Sequence, residues 1–288
     1  MAVKRLIVNA DDLGADESRN AGIFEAVEAG AVTAVSILVN GPAFPDALER
    51  IAAEARGGIS FGIHLNLTEG KPLVPGPACL TDSGGRFPGK AEAHRRLMIA
   101  GDRERKDAIG REFAAQVGAL RDAGIPVDHL DGHQHIHIFP AVIEAAVRTA
   151  ATFGIPWIRL PEEPVPVFTD REGPVDTAEA RMFSRLASAA RSRIRRSGLR
   201  TTDHFRGLYL KGRLTPESLE ETLSALPSGL AELMVHPGRA SAEGGQGPFS
   251  SFSNRDRERE LEALTGGQFR ETLDRHGIRL TSHSKEDA

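Results

Sequence analysis

Ile59-Ser60-Phe61-Gly62-Ile63-His64-Leu65-Asn66-Leu67 alternates without a break. In an extended chain, Ile59, Phe61, Ile63, Leu65 and Leu67 share one face, and Ser60, Gly62, His64 and Asn66 share the other. In a barrel the apolar set packs on helices while the small or polar set points inward, which puts His64 and Asn66 nearest the mouth. Outward from this stretch, further β-type runs are expected at 6–9, 32–40, 127–133, 157–161, 202–210, 231–236 and 278–282. Helical patterns separate them. Ser18 is expected to cap one that carries Ala21, Phe24, Ala26 and Val27, and Ile109, Phe113, Val117 and Leu120 mark another over 102–122. Strands alternating with helices imply a parallel α/β sheet, and seven or eight such strands close most economically as a TIM-like (β/α) barrel. An open nucleotide-binding sheet lacks support, because no G-x-G-x-x-G or P-loop pattern follows a strand.

A single domain is expected over 1–288, since no repeat or linker interrupts the pattern. Residues 71–101 contain Pro72, Pro75, Pro77 and Pro88 and are expected as a long loop over one rim. Residues 162–200 read as a loop followed by a basic helix, an insertion between strands. The arginines of that helix, Arg181 to Arg196, suit a solvated face or a subunit contact. They do not suggest nucleic acid, because 36 Lys and Arg against 40 Asp and Glu leave a net charge of −4. Cys79 is the one cysteine, which excludes an internal disulfide and a cysteine-based metal site. The first apolar run is too short for a signal peptide, and no run approaches the ~18 residues of a membrane span. A cytoplasmic protein is expected, with a homodimer as the default assembly.

Chemistry concentrates at predicted strand ends. Asp11 and Asp12 follow the first strand, His64 ends the third, His133 the fourth and His236 the seventh. In a barrel these C-terminal ends meet in one ring, where loops build the active site. Three of the ten histidines fall within Asp131-Gly132-His133-Gln134-His135-Ile136-His137. If the strand ran on, Asp131, His133, His135 and His137 would share a face. Two imidazoles and a carboxylate hold a divalent ion with coordination positions left open for water or substrate.

Val8-Asn9-Ala10-Asp11-Asp12-Leu13-Gly14, Gly62-Ile63-His64-Leu65-Asn66-Leu67-Thr68-Glu69-Gly70 and His129-Leu130-Asp131-Gly132-His133-Gln134-His135-Ile136-His137 closely resemble the three motifs of the YdjC-like carbohydrate deacetylase family, which includes chitooligosaccharide deacetylases. Met234-Val235-His236-Pro237-Gly238 resembles a fourth. The resemblance implies a deformed β/α barrel that removes acetyl groups from N-acetylated sugars with a divalent metal. By the same resemblance, Asp12, His64 and His133 match the metal ligands and Asp11 the catalytic base. The metal is Mg2+ by that likeness, whereas the donor set itself suits Zn2+, Mn2+ or Co2+. Expulsion of an amine needs a proton donor, for which His236 is expected, with His135 and His137 as competitors. Asn66, His135, His137 and Arg159 are expected substrate contacts. The expected partner is a small N-acetylated sugar, nearer the sugar-oligomer branch than the hopanoid-precursor branch. Two rival readings are a non-catalytic sugar-binding or metal-sensing barrel and a metal-dependent phosphoesterase.

Overall fold

The computed structural model describes residues 3–54, 58–75, 78–166, 177–240, 248–249 and 254–287. Most of the glycine-rich stretch 244–253, and 167–176 of the expected insertion, lie outside the described residues. Eight strands form one sheet: β1 (Lys4–Leu13), β2 (Ala34–Ile37), β3 (Ser60–Leu65), β4 (His129–Gly132), β5 (Trp157–Ile158), β6 (His204–Arg206), β7 (Gly229–Val235) and β8 (Ile278–Leu280). The order is β5-β4-β3-β2-β1-β7-β6, with β8 on β1, and the paired registers are all parallel. Beyond β5, Trp157 bridges Arg200, four residues before β6, and Ile158 N–H donates to the Arg200 carbonyl at 3.0 Å. The result is the expected α/β fold, a deformed TIM-like barrel.

The helices are α1 (Glu17–Glu28), α2 (Phe44–Glu54), α3 (Lys90–Leu97), α4 (Arg103–Asp122), α5 (Ile143–Phe153), α6 (Thr177–Arg196), α7 (Pro216–Ser224), α8 (Asn254–Thr265), α9 (Gly267–Arg275) and α10 (His283–Asp287). None of the described helices is long and apolar enough to cross a membrane. The stretch expected as an irregular rim loop holds α3, whose Ala93 and Leu97, four residues apart, are buried in the main core. Prolines before it mask a helix of only two turns.

The alternation at 59–67 is realised. Phe61, Ile63, Leu65 and Leu67 join the large apolar core beneath the helices. The other face looks into the barrel, which is layered. Ile7, Ala34, Trp157 and Leu230 make an apolar floor. Two residues further along their strands stand Asn9, Ser36, Arg159 and Glu232, and Asp11 follows two after Asn9. Gly62 must lack a side chain, because a Cβ there would lie 2.3 Å from His129 Nε2.

Candidate active site

Neighbouring residues on a regular strand face opposite ways, so Asp11 and Asp12 should not share a site. A bulge removes the conflict. Ala10 pairs with Val35 and Leu13 with Ile37, so β1 spends three steps where β2 spends two. Asp12 takes up the extra residue in the left-handed region, at φ 73°, a conformation that aspartate tolerates better than most residues. Both carboxylates then line one cavity of about 360 Å³, together with His64, His133, His135 and His236.

Asp12 Oδ1 lies 2.9 Å from His133 Nδ1 and 3.4 Å from His64 Nε2. One ligand atom from each of these three buried residues falls within 4.8 Å of the others. His64 is oriented from behind, its Nδ1 lying 2.7 Å from Asp131 Oδ1, which leaves Nε2 toward Asp12. A carboxylate behind a histidine is the usual support for a metal-binding ring. His133 Nε2 meets Glu69 at 2.9 Å, and Glu69 also accepts from Gln134 Nε2 at 3.1 Å. Burial opposes a charged His64, but Asp131, Asp12 and Asp11 outweigh it and push its pKa up to about 10. Asp12 is held well below the usual carboxylate range, because His133 and Arg257 overcome the cost of burial. A divalent ion at His64 Nε2 would have to displace a proton.

Asp11, His64 and Asp131 form a second group with suitable spacing. It fits a metal less well, because Arg159 already occupies its carboxylates. The guanidinium grips both oxygens of Asp11 at 2.7 Å, reaches Asp131 at 2.7 Å and, through Nε, Glu232 at 2.7 Å. Burial, opposed by Arg159 and reinforced by Asp131, pushes the Glu232 carboxyl up to about 7. Of the two groups, Asp12, His64 and His133 is the better fit for a divalent ion.

The strand does not run on through the histidine cluster. Gly132 ends β4, and 133–138 turn into a short 3-10 segment with Gln134 and His135 at φ 53° and 58°. The shared face expected for Asp131, His133, His135 and His137 is therefore lost. His135 lines the cavity beside Phe183, ring centroids 4.7 Å apart, and its Nδ1 has no partner among the described residues. His137 is fully buried behind the wall and donates from Nε2 to the Arg159 carbonyl at 3.1 Å. Asn66 is equally buried, and its amide donates to the Glu69 carbonyl at 2.7 Å and to Asn40 Oδ1 at 3.1 Å. Of the four expected substrate contacts, His135 is on the cavity wall, whereas Asn66, His137 and Arg159 lie behind it. Their buried hydrogen bonds and ion pairs support the site from below.

His236 follows β7 directly and lines the cavity. Its backbone N–H donates to Glu260, and its Nδ1 lies 3.9 Å from the same carboxylate. Burial first, then Arg257 and Lys211, holds its pKa well below the ordinary value, so the ring is neutral at rest. Burial likewise depresses His135 and takes His137 down to about 4.

Sequence reasoning passed over Arg257 and Glu260. A signal was present: residues 257, 260, 261 and 264 have the spacing of one helical face, and all four are buried in α8. Two charged residues on a buried face must have partners, and here these are Asp12 and the His236 backbone.

The wall residue Leu208 is tied to Glu163, whose Oε2 accepts its N–H at 2.7 Å. Burial raises the Glu163 pKa to about 7 against the pull of the Leu208 amide and Arg206. A raised carboxyl contributes stability that is complete below its unfolded value near 4.5 and is lost as pH rises through 7. Glu163→Gln keeps the acceptor and removes the titration. Its melting temperature relative to the parent should therefore rise between mildly acidic and mildly alkaline pH, by an amount reflecting about 3 kcal/mol. Thermal unfolding across that range checks this, and a pH-independent difference contradicts it.

A family model described as YdjC-like protein matches residues 5–275. The carbohydrate deacetylase of Homo sapiens is 37% identical, the alignment covering 96% of this chain and 89% of that protein. That of Thermoanaerobacter pseudethanolicus is 28% identical over 98% of this chain and 99% of its own. Among solved structures, an Enterococcus faecalis protein assigned to cellobiose-phosphate cleavage superposes with a TM-score of 0.75, covering 98% of both chains at 23% identity. At that identity the superposition speaks for the fold alone.

Proposed function

The chain belongs to the YdjC-like protein family, and from that premise we propose that it is a metal-dependent carbohydrate deacetylase. It hydrolyses the N-acetyl group of an N-acetylglucosamine-containing sugar or chitooligosaccharide to the free amine and acetate. The observation that carries this reading is the buried group Asp12, His64 and His133, within 4.8 Å, with Asp11 beside it on the same cavity wall. The relatives named carbohydrate deacetylase supply the bond class.

Asp12, His64 and His133 would hold the divalent ion. Bound there, it would supply polarisation of the acetyl carbonyl and a lowered pKa of water, from 15.7 toward about 7. Asp11, aimed by Arg159 and by Asn9 Nδ2 at 2.8 Å, takes the proton of the attacking water. The departing amine needs that proton. His236 delivers it, and because its ring is neutral at rest it must take up a proton before it can give one to the amine. His135, a residue of the cavity wall, is read as a contact for the sugar.

Purified protein should release acetate from N-acetylated sugars when screened over increasing chain length. Chelation should stop the release, and a divalent ion should restore it. His133→Ala should purify with its metal content largely lost. Absence of acetate across the series, or release indifferent to chelation, refutes the proposal, while phosphate release from sugar phosphates would favour the rival esterase.

A further inference from the structure

The two oxygens of Asp12 face opposite surroundings. Oδ1 is on the side of His64 and His133. Oδ2 accepts from Arg257 Nη2, and Arg19 Nη1 stands 3.8 Å from it. Both arginines are almost fully buried, at 2% and 1% exposure, a costly position that needs a built-in partner.

The surrounding packing holds them there. Arg19 Nε pairs with Asp16 at 2.7 Å, and its Nη2 donates to the Phe249 carbonyl. The Arg257 carbonyl accepts from the Gly238 N–H at 3.3 Å, two residues beyond His236. Gly22 of α1 lies so close that a Cβ there would be 2.5 Å from Gly238 Cα. Thus α1, the loop after His236 and α8 are locked together around the arginine pair.

A buried carboxylate needs a counter-charge. Arg257 supplies one in the absence of a metal. A divalent ion on the Oδ1 side would supply a second to the same carboxylate, and the two cations would repel each other. We infer that Arg257, backed by Arg19, is a resident counter-ion for Asp12 that keeps the metal-free site folded and thereby lowers its affinity for the divalent ion. The inference rests on reading Asp12, His64 and His133 as the metal ligands. By this account the metal exchanges without unfolding the protein, and Arg257 is a positioning residue that acts through Asp12.

The test is calorimetric titration of Co2+ into chelator-stripped parent, Arg257→Met and Arg257→Lys proteins, with thermal unfolding of each metal-free form. Arg257→Met should melt lower without metal and bind Co2+ about tenfold more tightly or more, because the metal then replaces the missing charge. A form of this variant that folds only with Co2+ supports the inference equally. Arg257→Lys keeps the charge and should bind within about threefold of the parent. Unchanged or weaker binding by Arg257→Met overturns the inference. If Arg257→Met folds under neither condition, the lysine variant decides: parental affinity supports the inference, and a tenfold change in either direction overturns it. A parent protein that binds no Co2+ would instead sink the metal assignment on which the inference depends.

Discussion

Asp11→Asn is expected to lower kcat by about 10³-fold while bound metal stays near the parental level. An amide cannot accept the proton of the attacking water, and Asp11 belongs to the group whose carboxylates Arg159 already engages rather than to Asp12, His64 and His133. The geometry adds a reason for a large effect. Asp11 receives both arms of the Arg159 guanidinium at 2.7 Å, and Asn9 Nδ2 at 2.8 Å, so its carboxylate is locked in one orientation. Such locking is what general-base catalysis by a fixed group requires. The measurement is steady-state acetate release alongside metal analysis and a melting curve. A variant that kept kcat within about tenfold of the parent, with metal bound, would remove Asp11 from the role of base.

Arg159→Met should cost about 3–5 kcal/mol of stability, the range for deleting one partner of a buried ion pair. Three carboxyls depend on that one guanidinium: Asp11, Asp131 and Glu232, each no more than 2% exposed. Asp131 is held well below the normal range, burial being overcome by Arg159 and then His64. Arg159 is in turn raised well above its ordinary value, its three carboxyl partners outweighing burial. Without the arginine, like charges would face one another across a gap in the barrel. The melting temperature should fall by roughly 10 °C, and activity should fall with it because Asp11 and His64 lose their supports. Arg159→Lys should recover only part, since one ammonium cannot bridge three acceptors in the planar fork geometry. A melting point within about 2 °C of the parent would show that the network is not structural in this sense.

These expectations rest on residues that differed greatly in how readable they were. The strand at 59–67 announced both its faces, because a barrel strand imposes a period of two that only a few side chains can satisfy. The same rule misled at the histidine cluster. Alternation predicted one shared face for Asp131 to His137, but Gly132 ends the strand and Gln134 and His135 enter the left-handed region. Backbone conformations of that kind are chosen by packing, and neither residue type demands them. The substrate contacts expected at Asn66, His137 and Arg159 sit behind the wall for a related reason. Polarity near a strand end marks proximity to a site, but burial and partners decide whether the group meets the ligand or holds up another residue.

From the sequence alone, the barrel, its alternating strands, and the gathering of Asp11, Asp12, His64, His133 and His236 at one end could all be derived. All of these follow from local periodicity and from the rule that parallel strands present their C-terminal ends together. What the tertiary structure decided was how two adjacent aspartates serve one cavity. That required a bulge against β2 with Asp12 at φ 73°, and a register slip depends on the neighbouring strand rather than on the residues that slip. The tertiary structure likewise brought Arg257 from near the chain's end to Asp12, a separation of 245 residues. No local pattern encodes such a contact, because it exists only once α8 has packed against the barrel.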